Sequence, residues 1–205
     1  MAGVKKFDRD KVLDRAMRLF WQRGYEGTSI EDLVIATGIN RGSLYATFGS
    51  KCGLFLAAFE RYMIVFGKPM MPVPDDPDPR GAIERMFDSI VTRTSDPQWP
   101  RGCFMTNTAL ECPGVGDEIA RKIAEAMGRL ESAIYAVLQR ARANGQLDPH
   151  ADVRALARFF MGVAQGLNVV NKATADPTIL HDMVTSAMSV WHTPSRTDSP
   201  DSQSK

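Results

Sequence analysis

The sequence predicts an all-α protein of about nine helices, a small N-terminal group followed by a longer helical body. Three observations predict it. Apolar residues recur at three- and four-residue spacing in long runs, no alternating period-two segment of useful length occurs, and glycine or proline punctuates the runs. The chain has 205 residues, 44% of them hydrophobic, which suits one or two small domains with an ample core.

The first helix is expected from about Asp8 to Arg23. Val12, Leu13, Ala16, Met17 and Phe20 share one face, and Gly24 is its stop. Residues 28–51, TSIEDLVIATGINRGSLYATFGSK, then read as helix, glycine turn and helix. Thr28 with Glu31 is a Thr-x-x-Glu capping box that opens the second helix, and Ile30, Leu33 and Val34 give it an apolar side. Gly38 ends it, because glycine enters the left-handed region without a steric penalty. Ile39 plugs the turn into the core, and Asn40 caps a short third helix from Arg41 to Phe48.

That third helix buries Leu44 and Phe48 and leaves Arg41, Gly42, Ser43, Tyr45, Ala46 and Thr47 outside. One arginine, small residues, hydroxyls and a tyrosine on one solvent face suit close approach to a groove and its phosphates. Two short helices joined in this way have the helix-turn-helix layout, over about residues 29–48, with the second helix as reader. A fourth helix starts near Ser50 and turns Leu54, Phe55, Ala58, Phe59 and Tyr62 inward. Lys51 brings an amine to its N-terminal N–H groups, which makes a phosphate site.

KPMMPVPDDPDPRG follows, with five prolines between Pro69 and Pro79, and is expected to be loop throughout. It divides a DNA-binding domain, residues 1–67, from a body, residues 80–192. In the body, helices are expected at Ala82–Thr94, around Gly102 to Glu111 with Pro113-Gly114 as the stop, and at Asp117–Arg142. Ile119, Ile123, Met127, Leu130, Ile134, Val137 and Ala141 stripe the last of these; Asn144-Gly145 ends it, and Asp148-Pro149 caps the next.

Two further helices, Asp152–Asn171 and Ile179–Trp191, carry broad apolar stripes, and Gly162 and Gly166 add a flat patch to the first. Small residues there permit close approach of another helix. Two arrangements fit: an internal pair, or a two-fold four-helix dimer seam through Phe160, Val163, Leu167, Leu180, Val184 and Met188. The polar tail, residues 193–205, is expected to be disordered.

Net charge is +1, so the whole molecule is no generic polyanion binder, yet residues 1–62 hold ten basic against seven acidic side chains. A head at +3 on a body at −2 points the right way for phosphate contact. The N-terminus lacks a signal-peptide core, no segment approaches a membrane span, and three cysteines without paired metal spacing argue against a disulfide framework. These features predict a cytoplasmic protein with no membrane partner, metal or cofactor. His150, His181 and His192 lack helical-spacing partners for metal binding.

The wording T-S-I-E-D-L, A-T-G-I and G-S-L-Y-A-T-F-G-S-K, with F-W-Q-R-G-Y-E-G-T-S after the first helix, strongly resembles the N-terminal domain of the TetR/AcrR transcriptional regulators, over about Phe7 to Tyr62. The rest of the chain resembles that family in length and helical layout. The resemblance implies a homodimeric regulator, most simply a repressor, that binds double-stranded operator DNA and is released by a small-molecule effector or a thiol modification. By it, Tyr45 and Thr28 meet backbone phosphate, and Arg41, Gly42, Ser43, Ala46 and Thr47 face bases or phosphates. Many relatives carry two bulky groups after the tyrosine; Ala46 and Thr47 here imply fewer base-edge hydrogen bonds and suit a thymine methyl at Ala46.

An effector cavity is expected among Phe87, Trp99, Cys103, Phe104, Asn107, Glu111, Tyr135 and Phe160. Cys103 sits at a helix start two residues after Arg101, an environment that favours the thiolate. The segment also resembles a TetR subgroup with Gly-Cys opening the sixth helix, some members of which sense electrophiles or oxidants. Cys103 as switch and Cys103 as core both remain open, with Cys112 as resolving partner or structural residue and Cys52 as structural. A cysteine-dependent enzyme finds no supporting local motif, and an architectural DNA binder wants a far more basic chain.

Overall fold

Most helix starts in this chain fall where a short polar side chain takes up the free N–H groups of a first turn. The computed structural model describes residues 7–94, 96–111, 116–174 and 176–192. Among the described residues there are nine helices: α1 Arg9–Arg23, α2 Ile30–Thr37, α3 Arg41–Phe48, α4 Lys51–Tyr62, α5 Pro79–Thr94, α6 Phe104–Glu111, α7 Asp117–Ala143, α8 Val153–Thr174 and α9 Pro177–Met188. Asp8 caps α1, Asn40 caps α3, Ser50 caps α4 and Asp176 caps α9.

Two caps differ from expectation. The box that opens α2 is Ser29 with Asp32, one residue on from Thr28 and Glu31, and both reciprocal bonds are present. Both pairs satisfy the Ser/Thr-x-x-acid pattern; the register is decided by Thr28, which is buried and donates its hydroxyl to the Gly24 carbonyl at 2.7 Å. At α8 the cap is Asp152, whose carboxylate accepts from the Arg154 and Ala155 N–H groups, while Asp148 instead holds a turn through the His150 N–H.

The proline-rich segment also begins later than its composition suggests. Past Tyr62 the fourth helix continues through a π-helical turn, Met63–Gly67, into a short α-helical turn, Lys68–Met70. Pro69 has no N–H to donate, and its ring would crowd the carbonyl four residues back in a regular α-helix. The widened turn, in which the Lys68 N–H reaches the Met63 carbonyl, gives it room. The loop proper starts at Met71.

Two cores result. α1 to α4 close around Phe20, Trp21, Leu33, Leu44, Phe55 and Phe59, and this core does not stop at the head. Phe104 of α6 and Ile119, Ile123 and Ala126 of α7 belong to it, with Phe104 edge-on to Phe55 at 5.2 Å and to Tyr62 at 5.5 Å. The proline run therefore divides the sequence without dividing the packing. The second core lies among α5, the C-terminal half of α7, α8 and α9. Burying one of its Leu or Phe side chains is worth about 1.5–3 kcal/mol.

Phe160, Leu167, Leu180 and Met188 sit inside this second core. They are between fully buried and 5% exposed within the single chain, so they are not available to a partner. Of the six residues expected at a dimer seam, only Val163 and Val184 are half-exposed. The face that α8 and α9 turn to solvent is the neighbouring stripe, with Phe159 at 43% and Ile179 at 39% exposure, joined by Val163 and Met183 along a shallow groove. Gly162 lies on the same side with open space where a Cβ would be. No helix among the described residues is long and apolar enough to cross a membrane. The Pro113-Gly114 stop, Cys112 and the tail from residue 193 lie outside the described residues.

Candidate nucleic-acid interface and effector cavity

The reader helix α3 is held by its ends and by one anchor. Gly38 closes α2 with φ 74°, the left-handed conformation that lets the chain turn sharply into α3. Leu44 is fully buried, and Arg15 fixes the turn by donating to the Thr37 carbonyl at 3.0 Å. Phe48, expected inside, is half-buried, with the Arg9 guanidinium 5.8 Å from its ring. What remains outside is a continuous face of Arg41, Gly42, Tyr45, Ala46 and Thr47, with Ser43 half-exposed.

On this face the Arg41 guanidinium pairs with Glu31 at 2.9 Å and lies 5.8 Å from the Tyr45 ring centre. The Thr47 hydroxyl is turned back onto the Ser43 carbonyl at 2.8 Å, so its methyl is the outward group. Lys51, at the start of α4, places its amine 4.3 Å over the Tyr25 ring, at the edge of the same surface. Thr28 does not join them: with no exposed area and its hydroxyl spent on Gly24, it stabilises the α1–α2 turn rather than offering a phosphate contact.

Behind the reader, α6 grips the end of α1. The Glu111 carboxylate accepts from the Tyr25 N–H at 2.8 Å, and the Asn107 amide donates to the Trp21 carbonyl at 3.2 Å. Gly24, with φ 78°, lies so close that a Cβ there would overlap the Glu111 carboxylate. Asn107 and Glu111 thus share a helical face, as their spacing requires, but that face meets the head and not an effector. Arg18 adds a third tie, donating to the Gln98 carbonyl at 2.7 Å with its guanidinium 4.0 Å over Trp99.

A small apolar cavity lies elsewhere than the aromatic residues suggest. It has a volume of about 60 Å³ between the extension of α4 and helices α5 to α8. Met63, Met70, Met71, Met86 and Met105 line it with Tyr62, Ile90, Leu130 and Cys103, and Arg93, Gln165 and Asn168 add polar groups. Of the expected effector residues only Cys103 lines it. Phe87 and Phe160 pack edge-on to each other in the second core, and Phe104 is fully buried under the head. Trp99 stacks on Trp21 and meets Phe66 on the outside of the cavity, and Tyr135 lies on α7 beneath the Arg154 guanidinium at 3.8 Å. Methionine gave no signal in the sequence because it fills ordinary cores equally well.

Cys103 is buried, and its Sγ lies 3.1 Å from the Tyr62 hydroxyl, while Arg101 beside it in sequence is exposed. Burial, and then the neighbouring thiol, push the Tyr62 hydroxyl well above its ordinary pKa, so it remains a neutral partner. At Cys52, burial and then the Glu118 carboxylate 4.0 Å away raise the thiol pKa, which disfavours a reactive thiolate there.

The chain is similar to known proteins over most of its length. A family model described as bacterial regulatory proteins, tetR family, matches residues 12–58, and one described as the Tetracyclin repressor-like C-terminal domain matches residues 79–187. The HTH-type transcriptional repressor ComR of Escherichia coli (strain K12) is 33% identical over 189 residues, 91% of this chain and 90% of ComR. The uncharacterized HTH-type transcriptional regulator YezE of Bacillus subtilis (strain 168) is 37% identical over 192 residues, 93% of this chain and 99% of YezE. Among solved structures, a cysteine mutant of the TetR family transcriptional regulator CifR complexed with 26-bp double-strand operator DNA superposes with a TM-score of 0.86 at 33% identity. It covers 92% of this chain and 100% of that one.

Proposed function

Because this chain belongs to the TetR family of bacterial regulatory proteins, we propose that it is a dimeric, sequence-specific DNA-binding repressor of the bacterial cytoplasm, released from its operator by a small molecule held in the body. The observation that carries the reading is the outward face of α3. It offers one guanidinium, one phenol and otherwise small groups, so the helix axis can enter a major groove without a side chain blocking it. Arg41 is the base-reading candidate, Tyr45 and Lys51 are phosphate contacts, and Ala46 with the Thr47 methyl suits thymine. Residues 1–67 act as the reading unit and residues 80–192 as the effector and dimerisation unit.

Dimerisation places two readers on successive major-groove faces. The interface follows the exposed stripe of α8 and α9, Phe159, Gly162, Val163, Ile179 and Met183. The small residue at 162 lets a partner helix approach closely. Effector release works through α6, which touches the cavity at Met105 and through Cys103 just before it, and the head through Asn107 and Glu111. A ligand that moves α6 changes the head's angle and so the spacing of the two readers.

Selection of bound fragments from a random double-stranded pool tests this. The expected product is a palindrome whose half-sites are one helical turn apart or a multiple of it. Binding that enriches no sequence would overturn the reading in favour of a non-specific binder.

A further inference from the structure

We propose that the methionine-lined cavity is the binding site of a small organic monoanion, a carboxylate with a short apolar tail, and that Arg93 is the residue that recognises it. The inference deepens the effector reading of the body and rests on it.

The first observation is the state of the Arg93 guanidinium. It donates to the Gly102 carbonyl at 2.9 Å and to the Asn168 side-chain oxygen at 2.8 Å, both neutral acceptors. Its Nε–H is buried and has no hydrogen-bond partner among the described residues. Among the described residues no carboxylate pairs with it, in contrast to Arg61, another half-buried arginine, which Asp14 meets with both oxygens. A cation taken partly out of water and offered only neutral acceptors has not recovered its desolvation cost. A carboxylate arriving at Nε supplies both the missing acceptor and the counter-charge.

The second observation is what surrounds it. Met63, Met70, Met86 and Met105, with Tyr62 and Cys103, make a wall that is apolar and able to repack around a chain of any shape. A volume of about 60 Å³ corresponds to roughly four to six water-sized sites, which limits the tail to about that many heavy atoms.

The third is position. Arg93 and Met70 also line an open groove on the far side, together with Phe66, Trp99, Asp88 and Asp96. Arg93 therefore stands between the outer groove and the methionine-lined cavity. Arg85 lines the same groove with Asp88 and Asp96, so the groove itself sets no charge; within the cavity Arg93 is the one charged side chain among the lining residues, which matches a single carboxylate. Binding also has a route to the head. Any pull on Arg93 loosens its bond to Gly102, just before α6 begins, and α6 holds Trp21 and Tyr25.

Pentanoate, 1-pentanol and pentylamine share a tail and differ in charge, so titrating each into the full-length protein isolates the recognition. Tryptophan emission reports it, because the Arg93 guanidinium lies 5.4 Å from the Trp21 ring centre, and calorimetry checks the stoichiometry. Pentanoate is expected to bind saturably and about tenfold or more tighter than pentanol, the value of a charge-assisted hydrogen bond, with no binding of pentylamine. Arg93→Met should erase the preference for the carboxylate while pentanol still binds. Arg93→Lys, which keeps the charge but loses the fork, should retain part of it and covers the case in which the first variant fails to fold. Pentanol binding as tightly as pentanoate, no pentanoate binding, or a preference that survives Arg93→Met would overturn the proposal. None of these readouts involves DNA. A protein that selects an operator yet ignores the carboxylate refutes this inference alone, whereas failure to select any sequence refutes the regulatory reading.

Discussion

Helix α8 carries two apolar stripes, one turned inward and one turned out, and substitutions on the two should separate folding from dimerisation. Leu167 is fully buried in the second core, and Phe159 is 43% exposed. Leu167→Ala should cost about 2–5 kcal/mol of stability, because it removes buried methyl groups and leaves a cavity. Phe159→Ala should leave the fold of the single chain nearly intact. Its effect falls on association. A phenylalanine contributes roughly 200 Å² when fully buried, so the area still exposed at Phe159 is on the order of 90 Å², worth about 2 kcal/mol at 25 cal/mol per Å². A two-fold interface uses the residue twice, which brings the loss to about 4 kcal/mol, or nearly a thousandfold in the dimer dissociation constant. Sedimentation across a dilution series, paired with thermal melting, reads both quantities. A Phe159→Ala dimer as resistant to dilution as the parent would refute the placement of the interface.

Three other outcomes follow from the head. Tyr45→Ala should weaken binding to operator and unrelated duplex alike, whereas Arg41→Ala should relax discrimination at one position of each half-site by ~1–3 kcal/mol; parallel anisotropy titrations distinguish them. Glu111→Ala strands the Tyr25 N–H and should cost about 1–3 kcal/mol, seen as a melting temperature lower by roughly 2–12 °C; an unchanged melt would mean that α6 does not hold the head. The Ser29 bonds, first its hydroxyl and then its N–H, with Arg23 adding to them, hold the Asp32 carboxyl below its ordinary 3.8. A lowered folded pKa contributes stability that is full above the unfolded value and lost as pH falls through the folded one. The stability difference between the parent and Asp32→Asn should therefore be constant above pH about 4 and shrink below it; a difference insensitive to acid would count against the cap.

The head was legible because each of its signals is local. Asp8, Gly24, Gly38, Asn40 and Ser50 each act within a few residues of themselves, and the bounds of α3 follow from two of them. The register of the second cap is ambiguous in the sequence because Thr28–Glu31 and Ser29–Asp32 both fit the pattern, and only the burial of Thr28 chooses between them. The body depends on which way a face turns. In α8 the stripe at 160, 164 and 167 lies about 100° around the helix from that at 159, 163 and 166, and both are apolar or small in the sequence. Only the packing of α9 decides which is inside. Asn107 and Glu111 were recognisable as a polar pair on one face, but their partners, the Trp21 carbonyl and the Tyr25 N–H, lie 86 residues away in sequence. Arg93 gave no sequence signal at all, since an unpaired Nε is a property of the fold.

On the proposed function, α3 reads a defined DNA sequence on behalf of a dimer. The most direct test is a titration of the selected palindrome and of a scrambled duplex with the full-length protein at one fixed salt concentration, followed by anisotropy and by sedimentation of the complex. Two protomers per palindrome are expected, with an affinity about a thousandfold or more above that for the scrambled duplex and the excess reduced by Arg41→Ala. Equal affinity for the two duplexes, or an excess that Arg41→Ala and Tyr45→Ala both leave untouched, would contradict it.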